Sequence, residues 1–281
     1  MVESHTENIA TIHLVWHGAG IGAFSRFLSS YLAHPAGTPH TLVLVFKEIP
    51  ESDLPAYLHL ADQVPHVRIS MPAPTFDIPA YLTVAKSVTS KFVCLLNSNS
   101  EILADNWLSM MAAVASSKIV GAVSATGSWE SHLNSTLDAW RHTAARGEFP
   151  PWDRVRHETQ LLAATFSPFP NYHLRTNALF IERSRLLNMQ FDWREHSKFE
   201  CLVFESGWNG LTHQLVQQGL LPLVVDRNGA MHQRHRWPES RTFRSGNQEH
   251  LLVADNRTRD YQLASATMRE YLSSLAWGGA R

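Results

Sequence analysis

The chain has 281 residues, of which 44 % are hydrophobic, and its 24 basic residues nearly balance its 25 acidic ones. This length and composition allow a sizeable buried core, arranged as one large domain or two small ones. The formal charge of −1 excludes a general electrostatic attraction to nucleic acid, which needs a strongly basic surface.

Strand and helix patterns alternate through the first half of the chain. Apolar runs predict strands at residues 11–17, 40–46, 66–71, 91–96 and 119–126. Helical spacing predicts helices between them, at residues 24–34, 53–64, 78–88 and 104–117. The alternation predicts an α/β fold with a mostly parallel sheet and helices on both faces.

The pattern changes near residues 146–154, where Arg, Trp and Pro are frequent and the periodicity is weak. Two further units follow at residues 176–187 and 210–229, and residues 261–277 have the pattern of one final helix. We interpret the whole as one continuous α/β domain over residues 1–281, divided into halves at 1–150 and 151–281.

A glycine-rich turn follows the first predicted strand. Gly18, Gly20 and Ala23 match G-x-G-x-x-A, a pattern that can hold a pyrophosphate against backbone N–H groups. Glu48 lies at the end of the next strand, where a ribose-binding acid would stand. One hypothesis is therefore an NAD(P)-dependent oxidoreductase, although no Tyr-x-x-x-Lys set follows. A tight turn into the first helix explains the same glycines.

A polar corner, "NSNSE", follows the fourth predicted strand. Asn97, Ser98 and Asn99 stand at the carboxyl end of a central strand, where α/β folds bind ligands. Asparagine oxygens bind Mg²⁺ or Mn²⁺ weakly compared with carboxylates. Asn99, Glu101 and, from a distant segment, His232 form a weak candidate metal set. An ordinary helix cap is the alternative interpretation.

A carboxylate, Glu205, precedes a glycine turn and a predicted helix. At the mouth of a cleft it could act as general base on a hydroxyl group, with Glu200 a weaker candidate. Stabilisation of that helix by the Glu205 charge is the alternative.

Residues 231–250 are the most basic stretch of the chain. His232 and His235 have an H-x-x-H spacing that would place both on one face of a helix. The arginines suit diphosphate recognition by paired hydrogen bonds; they are Arg234, Arg236, Arg241 and Arg244. We favour a phosphate or acceptor contact over a metal site.

Other sequence features limit the function and the compartment. No G-x-S-x-G elbow, P-loop or H-E-x-x-H motif occurs. Cys94 and Cys201 lie far apart in apolar surroundings, which favours free buried thiols. The N-terminus lacks the basic and apolar regions of a signal peptide, and no stretch approaches the roughly 18 apolar residues of a membrane span. We expect a soluble cytoplasmic protein, with peripheral membrane contact left open.

Taken in order, residues 11–230 resemble a glycosyltransferase of the GT-A fold, close to the large family-2 type. The motif "LLNSNSEILADNWL" places Asn97 and Asn99 on the two aspartates of that family's metal-binding DxD motif. The segment "LRTNALFIERSRLL" is similar to a later family strand, and "FESGWNG" places Glu205 on the catalytic-base position. Other stretches resemble a bacterial glycosyltransferase-like subgroup.

The resemblance implies transfer of a sugar from a nucleotide-diphosphate donor to an acceptor hydroxyl, with inversion, in synthesis of cell-surface polysaccharide or glycoconjugate. It implies a nucleotide-binding half at residues 1–150 and an acceptor-side half after it. Mg²⁺ or Mn²⁺ is the family's cofactor, and loss of both aspartates leaves metal independence plausible. Donor contacts are expected from Gly18, Gly20, Lys47, Asp77, Asn97, Ser98, Asn99, Arg234 and Arg236. Acceptor contacts are expected from Trp129, Arg175, Asn177 and Trp208. A non-catalytic sugar-nucleotide-binding relic is the remaining alternative.

Overall fold

The computed structural model describes residues 8–279. Within them eight strands form one sheet, in the order β11-β10-β6-β9-β4-β1-β2-β3. Their bounds are β1 (Ile9–Trp16), β2 (Thr41–Lys47), β3 (Val67–Met71), β4 (Phe92–Leu96), β6 (Val120–Ser124), β9 (Leu179–Glu182), β10 (Leu221–Val225) and β11 (Met231–Gln233). Two short antiparallel pairs lie beside the sheet: β5 (Glu101–Ile102) with β12 (Val253–Ala254), and β7 (Gly127–Ser128) with β8 (His173–Leu174).

The helices of the first half follow the predicted alternation. They are α1 (Ile21–Ala33), α2 (Leu54–Ala61), α3 (Asp77–Ser87) and α4 (Trp107–Ala115). The later helices are α5 (His132–Ala145), α6 (Trp152–Thr165), α7 (Arg183–Leu187), α8 (Lys198–Ser206), α9 (Leu211–Gln217), α10 (Asn256–Leu263) and α11 (Ala266–Trp277). No helix within the described residues combines the length and apolar character needed to cross a bilayer.

The sheet is buried on both faces, which explains the continuous apolar runs. In β1, Val15 packs with the cluster that contains Phe27 and Trp107, whereas Ile12 packs on the other face with Tyr81. Each fully buried side chain of this kind contributes roughly 1.5–3 kcal/mol by leaving water. Cys94 and Cys201 are both buried and free, as expected.

Strand β9 runs antiparallel to both of its neighbours, β4 and β6, inside an otherwise parallel centre. Its register pairs Leu179 with Leu95. Because of this reversed direction, the residues that precede β9 lie beside the residues that follow β4. The mostly parallel α/β fold is confirmed, and the reversed strand is what brings residues near 177 to the "NSNS" corner.

The weakly periodic segment contains α6, and α5 precedes it; neither helix buries a residue fully, which explains their unclear periodicity. Two local predictions are wrong. The predicted final helix is two helices, because Ala264 has extended backbone and Ser265 caps α11 by accepting from the Met268 N–H. The H-x-x-H pair does not share a helical face, since His232 belongs to β11 and His235 to a 3-10 turn.

Candidate active site

A large cleft opens at the carboxyl ends of the central strands. Its volume is about 1040 Å³. One side is formed by residues after β1, β2 and β3, and the floor by residues after β4 and before β9. The far wall comes from residues 243–257 and α11. This edge is where open α/β sheets bind their ligands.

The "NSNS" corner is a side-chain-stabilised turn at the floor of the cleft. The Asn97 Oδ1 accepts a hydrogen bond from the Asn99 backbone N–H at 2.8 Å, which is the geometry of an Asx turn. The buried Asn177 Oδ1 accepts from the Asn97 N–H at 3.3 Å and from the Ser100 hydroxyl at 2.6 Å. Asn177 therefore lines the cleft but uses its amide to hold the corner.

The residues of the corner do not fit a divalent cation. The Asn97 side-chain oxygen is occupied within the turn, and Glu101 is paired with Arg259 at 3.2 Å and faces Arg26 at 3.8 Å. His232 lies outside the lining of the cleft, with its Nε2 at 3.1 Å from Asp226. Across residues 8–279 no cluster of three or more His, Cys, Asp or Glu side chains has the arrangement of a metal site. The metal set expected from the sequence is not assembled.

Glu205 lines the cleft; it lies in the last turn of α8 and ahead of the turn at residues 207–210 that leads into α9. Helix α9 has no side-chain cap and no acidic residue in its first turn, so stabilisation of that helix does not explain Glu205. Its Oε1 accepts from the Thr176 N–H at 3.3 Å and also from the Thr176 hydroxyl. Oε2 receives no hydrogen bond from the part of the chain that the structure describes.

Glu200, the weaker candidate, has a structural task at the other end of α8. It forms a capping box with Ser197 and accepts from the Arg194 N–H at 2.8 Å. These backbone hydrogen bonds, with the Arg194 N–H contributing most, lower the pKa of the Glu200 carboxyl. Glu200 does not line the cleft.

The side of the cleft formed by β1, β2 and α3 carries an aromatic ring and fixed charges. The Trp16 indole donates to Glu48 at 3.1 Å, and Lys47, which is buried, donates to Asp77 at 2.9 Å. A Cβ atom on Gly18 would lie 2.3 Å from the Trp16 ring. Gly18 is therefore required by the tryptophan, and neither Gly18 nor Gly20 lines the cleft.

The opposite side holds two histidines that the sequence did not single out. His132 and His173 both line the cleft. Burial lowers the pKa of His173 to about 4, and burial lowers the pKa of His132. The His173 Nδ1–H donates to the Asn171 carbonyl at 2.9 Å. Burial thus favours the neutral form of both rings, which offers hydrogen bonds without charge.

Several expected contacts lie outside the cleft lining. Arg236 pairs with Glu239 at 2.6 Å, and Arg234 lies over the Tyr172 ring. The Trp129 indole donates to the Arg234 carbonyl and the Trp208 indole to the Ala163 carbonyl. The residues that do line it are Lys47, Asp77, Asn97, Ser98, Asn99, Arg175, Asn177 and Glu205.

The missed lining residues had little signal in the sequence. Trp16, Thr176, Lys198 and Arg257 line the cleft as well. A bulky aromatic two positions before a glycine was the available hint for Trp16. Arg257 lies in a segment whose approach to the corner depends on the pairing of β12 with β5, and no local pattern reveals that pairing.

Comparison with solved structures finds glycosyltransferases. The mannosyltransferase PcManGT from Pyrobaculum calidifontis, in complex with GDP-Man and Mn²⁺, matches with a TM-score of 0.50 at 10 % identity, over 85 % of this chain and 61 % of that one. This chain thus spans less than two thirds of that protein's length. S. aureus TarS 1–349 matches with a TM-score of 0.42 at 11 % identity, over 70 % of this chain and 53 % of that one. A second S. aureus TarS structure matches with a TM-score of 0.33 at 13 % identity, over 42 % of this chain and 21 % of that one.

No protein-family model matches the sequence, and no curated protein matches it. At 10 % identity the likeness to the mannosyltransferase concerns the fold and not the substrate. The chain therefore has a GT-A-like glycosyltransferase fold, a mixed α/β architecture with a mostly parallel eight-stranded sheet in the described residues 8–279.

Proposed function

We propose that this protein is a glycosyltransferase that moves a sugar from a nucleotide-diphosphate donor to an acceptor hydroxyl. The observation that carries the proposal is the position of Glu205, which faces the same cleft as the Asn97–Asn99 corner. A carboxylate that lines the cleft and is oriented by two donors of Thr176 can act as a general base on a bound hydroxyl group.

In this proposal the nucleoside lies on the side of β1, β2 and α3. The Trp16 ring is 40 % exposed and offers a face for base stacking, which is worth about 1–3 kcal/mol. Asp77 and Glu48 are carboxylates at the same side that can accept hydrogen bonds from the base or ribose. The donor sugar then reaches the corner at Asn97–Asn99 and the open oxygen of Glu205.

The chemical step that we propose is a single inverting displacement. The acceptor oxygen attacks the anomeric carbon while Glu205 Oε2 takes the hydroxyl proton. The bond from that carbon to the diphosphate oxygen breaks, and its electron pair leaves with the nucleoside diphosphate. General base catalysis of this kind contributes about 10²- to 10⁴-fold. His132, His173 and Arg175 lie around the space left for the acceptor.

The competing interpretations lack support from the site. The dinucleotide hypothesis rests on Gly18, Gly20 and Ala23, none of which lines the cleft. Contact with Trp16 explains Gly18, and a backbone φ of 79° explains Gly20. A non-catalytic relic would have no need to orient Glu205 with two hydrogen-bond donors. The proposal includes a role in synthesis of cell-surface polysaccharide or glycoconjugate, which the resemblance implies.

A nucleotide panel tests the proposal. Thermal unfolding is followed with UDP, GDP, CDP, ADP and dTDP, and with NAD and NADP as the competing class. A ligand at 100 times its Kd adds about 2.7 kcal/mol to the free energy of unfolding, so one nucleoside diphosphate should raise the Tm by several degrees. A rise with NAD or NADP alone would support the oxidoreductase instead.

A further inference from the structure

Within residues 8–279, five basic side chains line the cleft, and two of them have no carboxylate partner there. Lys47 is paired with Asp77, Arg175 with Asp255 at 2.7 Å, and Arg244 with Glu130 at 3.1 Å. Lys198 and Arg257 line the cleft and form no ion pair with any of residues 8–279. The charge available to an anionic ligand therefore comes first from these two side chains.

Arg257 is brought close to the "NSNS" corner by the chain that precedes it. Ala254 of β12 is paired with Glu101 of β5, directly after the corner. The Ala254 carbonyl accepts from Asn177 Nδ2 at 3.4 Å. The Oδ1 of the same Asn177 side chain accepts from the Asn97 N–H. Arg257 follows three residues later, in the first turn of α10.

The position of Arg257 in α10 is unfavourable for the helix itself. A cation in a first turn opposes the helix dipole, whereas an anion beside that turn is stabilised. Asp255 caps the helix and is buried in its pair with Arg175. The exposed Arg257 guanidinium thus presents positive charge to the cleft.

Arg244 adds a buried donor on the same wall. The residue is 8 % exposed and lines the cleft, yet its Nε–H has no hydrogen-bond partner among the residues described. Its guanidinium and that of Arg175 both lie over the Phe243 ring, at 5.0 Å and 4.3 Å. Burial lowers the pKa of Arg244, and the neighbouring charges of Arg175 and Arg257 lower it further. A buried donor without a partner is destabilising unless a ligand satisfies it.

We propose that Arg257, assisted by the Arg244 Nε–H, binds the diphosphate of the donor in place of a divalent cation. This inference rests on the proposed function. As the bond to the anomeric carbon breaks, the electron pair remains on the diphosphate oxygen, and the guanidinium of Arg257 stabilises the added negative charge. No metal ion and no additional proton is needed in this step. The poor fit of the corner to a metal and the unpaired Arg257 then have one explanation.

Isothermal titration with the nucleoside diphosphate selected by the panel tests the inference. Binding is measured in EDTA and in MnCl₂ for the wild type, Arg257→Gln, Arg257→Lys and a control, Arg141→Gln. Arg141 is an exposed arginine of α5 outside the cleft. The matching nucleoside without phosphates is titrated in parallel, because its binding should not respond to Arg257.

We expect the wild type to bind equally well in EDTA and MnCl₂. Arg257→Gln should weaken diphosphate binding at least tenfold with nucleoside binding unchanged, Arg257→Lys should retain part of the affinity, and Arg141→Gln should match the wild type. Binding that requires Mn²⁺, or an Arg257→Gln protein that binds the diphosphate as the wild type does, would overturn the inference while leaving the proposed function standing. Failure of every nucleotide to bind in either buffer would overturn both.

Discussion

Thr176 donates both its hydroxyl and its backbone N–H to a single oxygen of Glu205. Thr176 lies just before β9, and Glu205 lies in α8, so two distant segments fix one carboxylate. The two donors orient the group. In the proposed reaction the other oxygen takes the proton of the acceptor hydroxyl.

Replacement of Thr176 by Val removes the hydroxyl donor and keeps the side-chain volume. We expect sugar transfer to slow by about tenfold or more, since a hydrogen bond to a charged group is worth about 1.5–3 kcal/mol. Nucleotide affinity should not change, because Thr176 orients the proposed general base, Glu205, and does not contact the donor in this proposal. Thr176→Ser should restore most of the rate. Steady-state rates and titration of the nucleotide provide the measurement, and equal rates for Val and Ser would show that the hydroxyl has no role.

Gly18 and Gly22 provide a matched pair for the role of Trp16. Alanine at Gly18 must displace the indole, whereas no atom lies within 4 Å of a Cβ on Gly22. We expect Gly18→Ala to weaken nucleotide binding by about tenfold through lost stacking. Gly22→Ala should leave binding intact and raise the free energy of unfolding by about 0.5–1 kcal/mol, because Gly22 lies inside α1.

Titration of both variants with the same nucleotide decides between two interpretations of the turn. If Gly22→Ala weakens binding as much as Gly18→Ala does, the turn itself contacts the ligand, as the dinucleotide hypothesis requires. If neither variant affects binding, Trp16 does not stack on the nucleobase of the ligand.

His13 makes the stability of the fold depend on pH. Its ring is fully buried, stacked on Phe27 at 3.5 Å between centroids, and neither nitrogen has a partner within residues 8–279. Burial lowers the pKa of His13 to about 3. Between pH 6.5 and pH 3 the unfolded chain therefore binds a proton that the folded chain does not, and stability falls as the pH falls.

The variant His13→Phe removes this proton uptake. When the pH is lowered from 7 to 5, we expect the wild type to lose about 2 kcal/mol more of its free energy of unfolding than the variant does. Urea unfolding at the two pH values gives the difference. The pKa of His173 is also lowered by burial, so His173 contributes to the pH dependence of the free energy of unfolding in both proteins. An identical pH dependence in the two proteins would mean that His13 is protonated in the folded state.

The sequence pattern was sufficient for the first half of the fold, because apolar runs and helical spacing there report burial directly. The strand direction of β9 has no such local signature, since a buried strand has the same composition in either orientation. The helices α5 and α6 bury no residue fully, and so their periodicity is weak. Prediction was most accurate where packing imposes a regular pattern on the residues.

The candidate site shows the same division. Lys47, Asp77 and the corner follow strands, and the rule that ligands bind at strand ends located them. The arginines required the tertiary structure: of the most basic stretch, Arg244 lines the cleft but Arg234 and Arg236 do not, whereas Arg257 reaches it through the pairing of β12 and β5. Charge density along the chain was therefore only a partial guide to charge density in the cleft.

The most direct test of the central claim compares Glu205→Gln with Glu200→Gln. Both replace a glutamate of α8 by its neutral isostere, but only Glu205 lines the cleft. The measurement is release of nucleoside diphosphate from the sugar nucleotide identified by the panel, together with its dissociation constant. We expect Glu205→Gln to slow release by about 10²- to 10⁴-fold with an unchanged dissociation constant, while Glu200→Gln loses some stability and keeps its rate. A Glu205→Gln protein that turns over its donor at the wild-type rate would contradict the account.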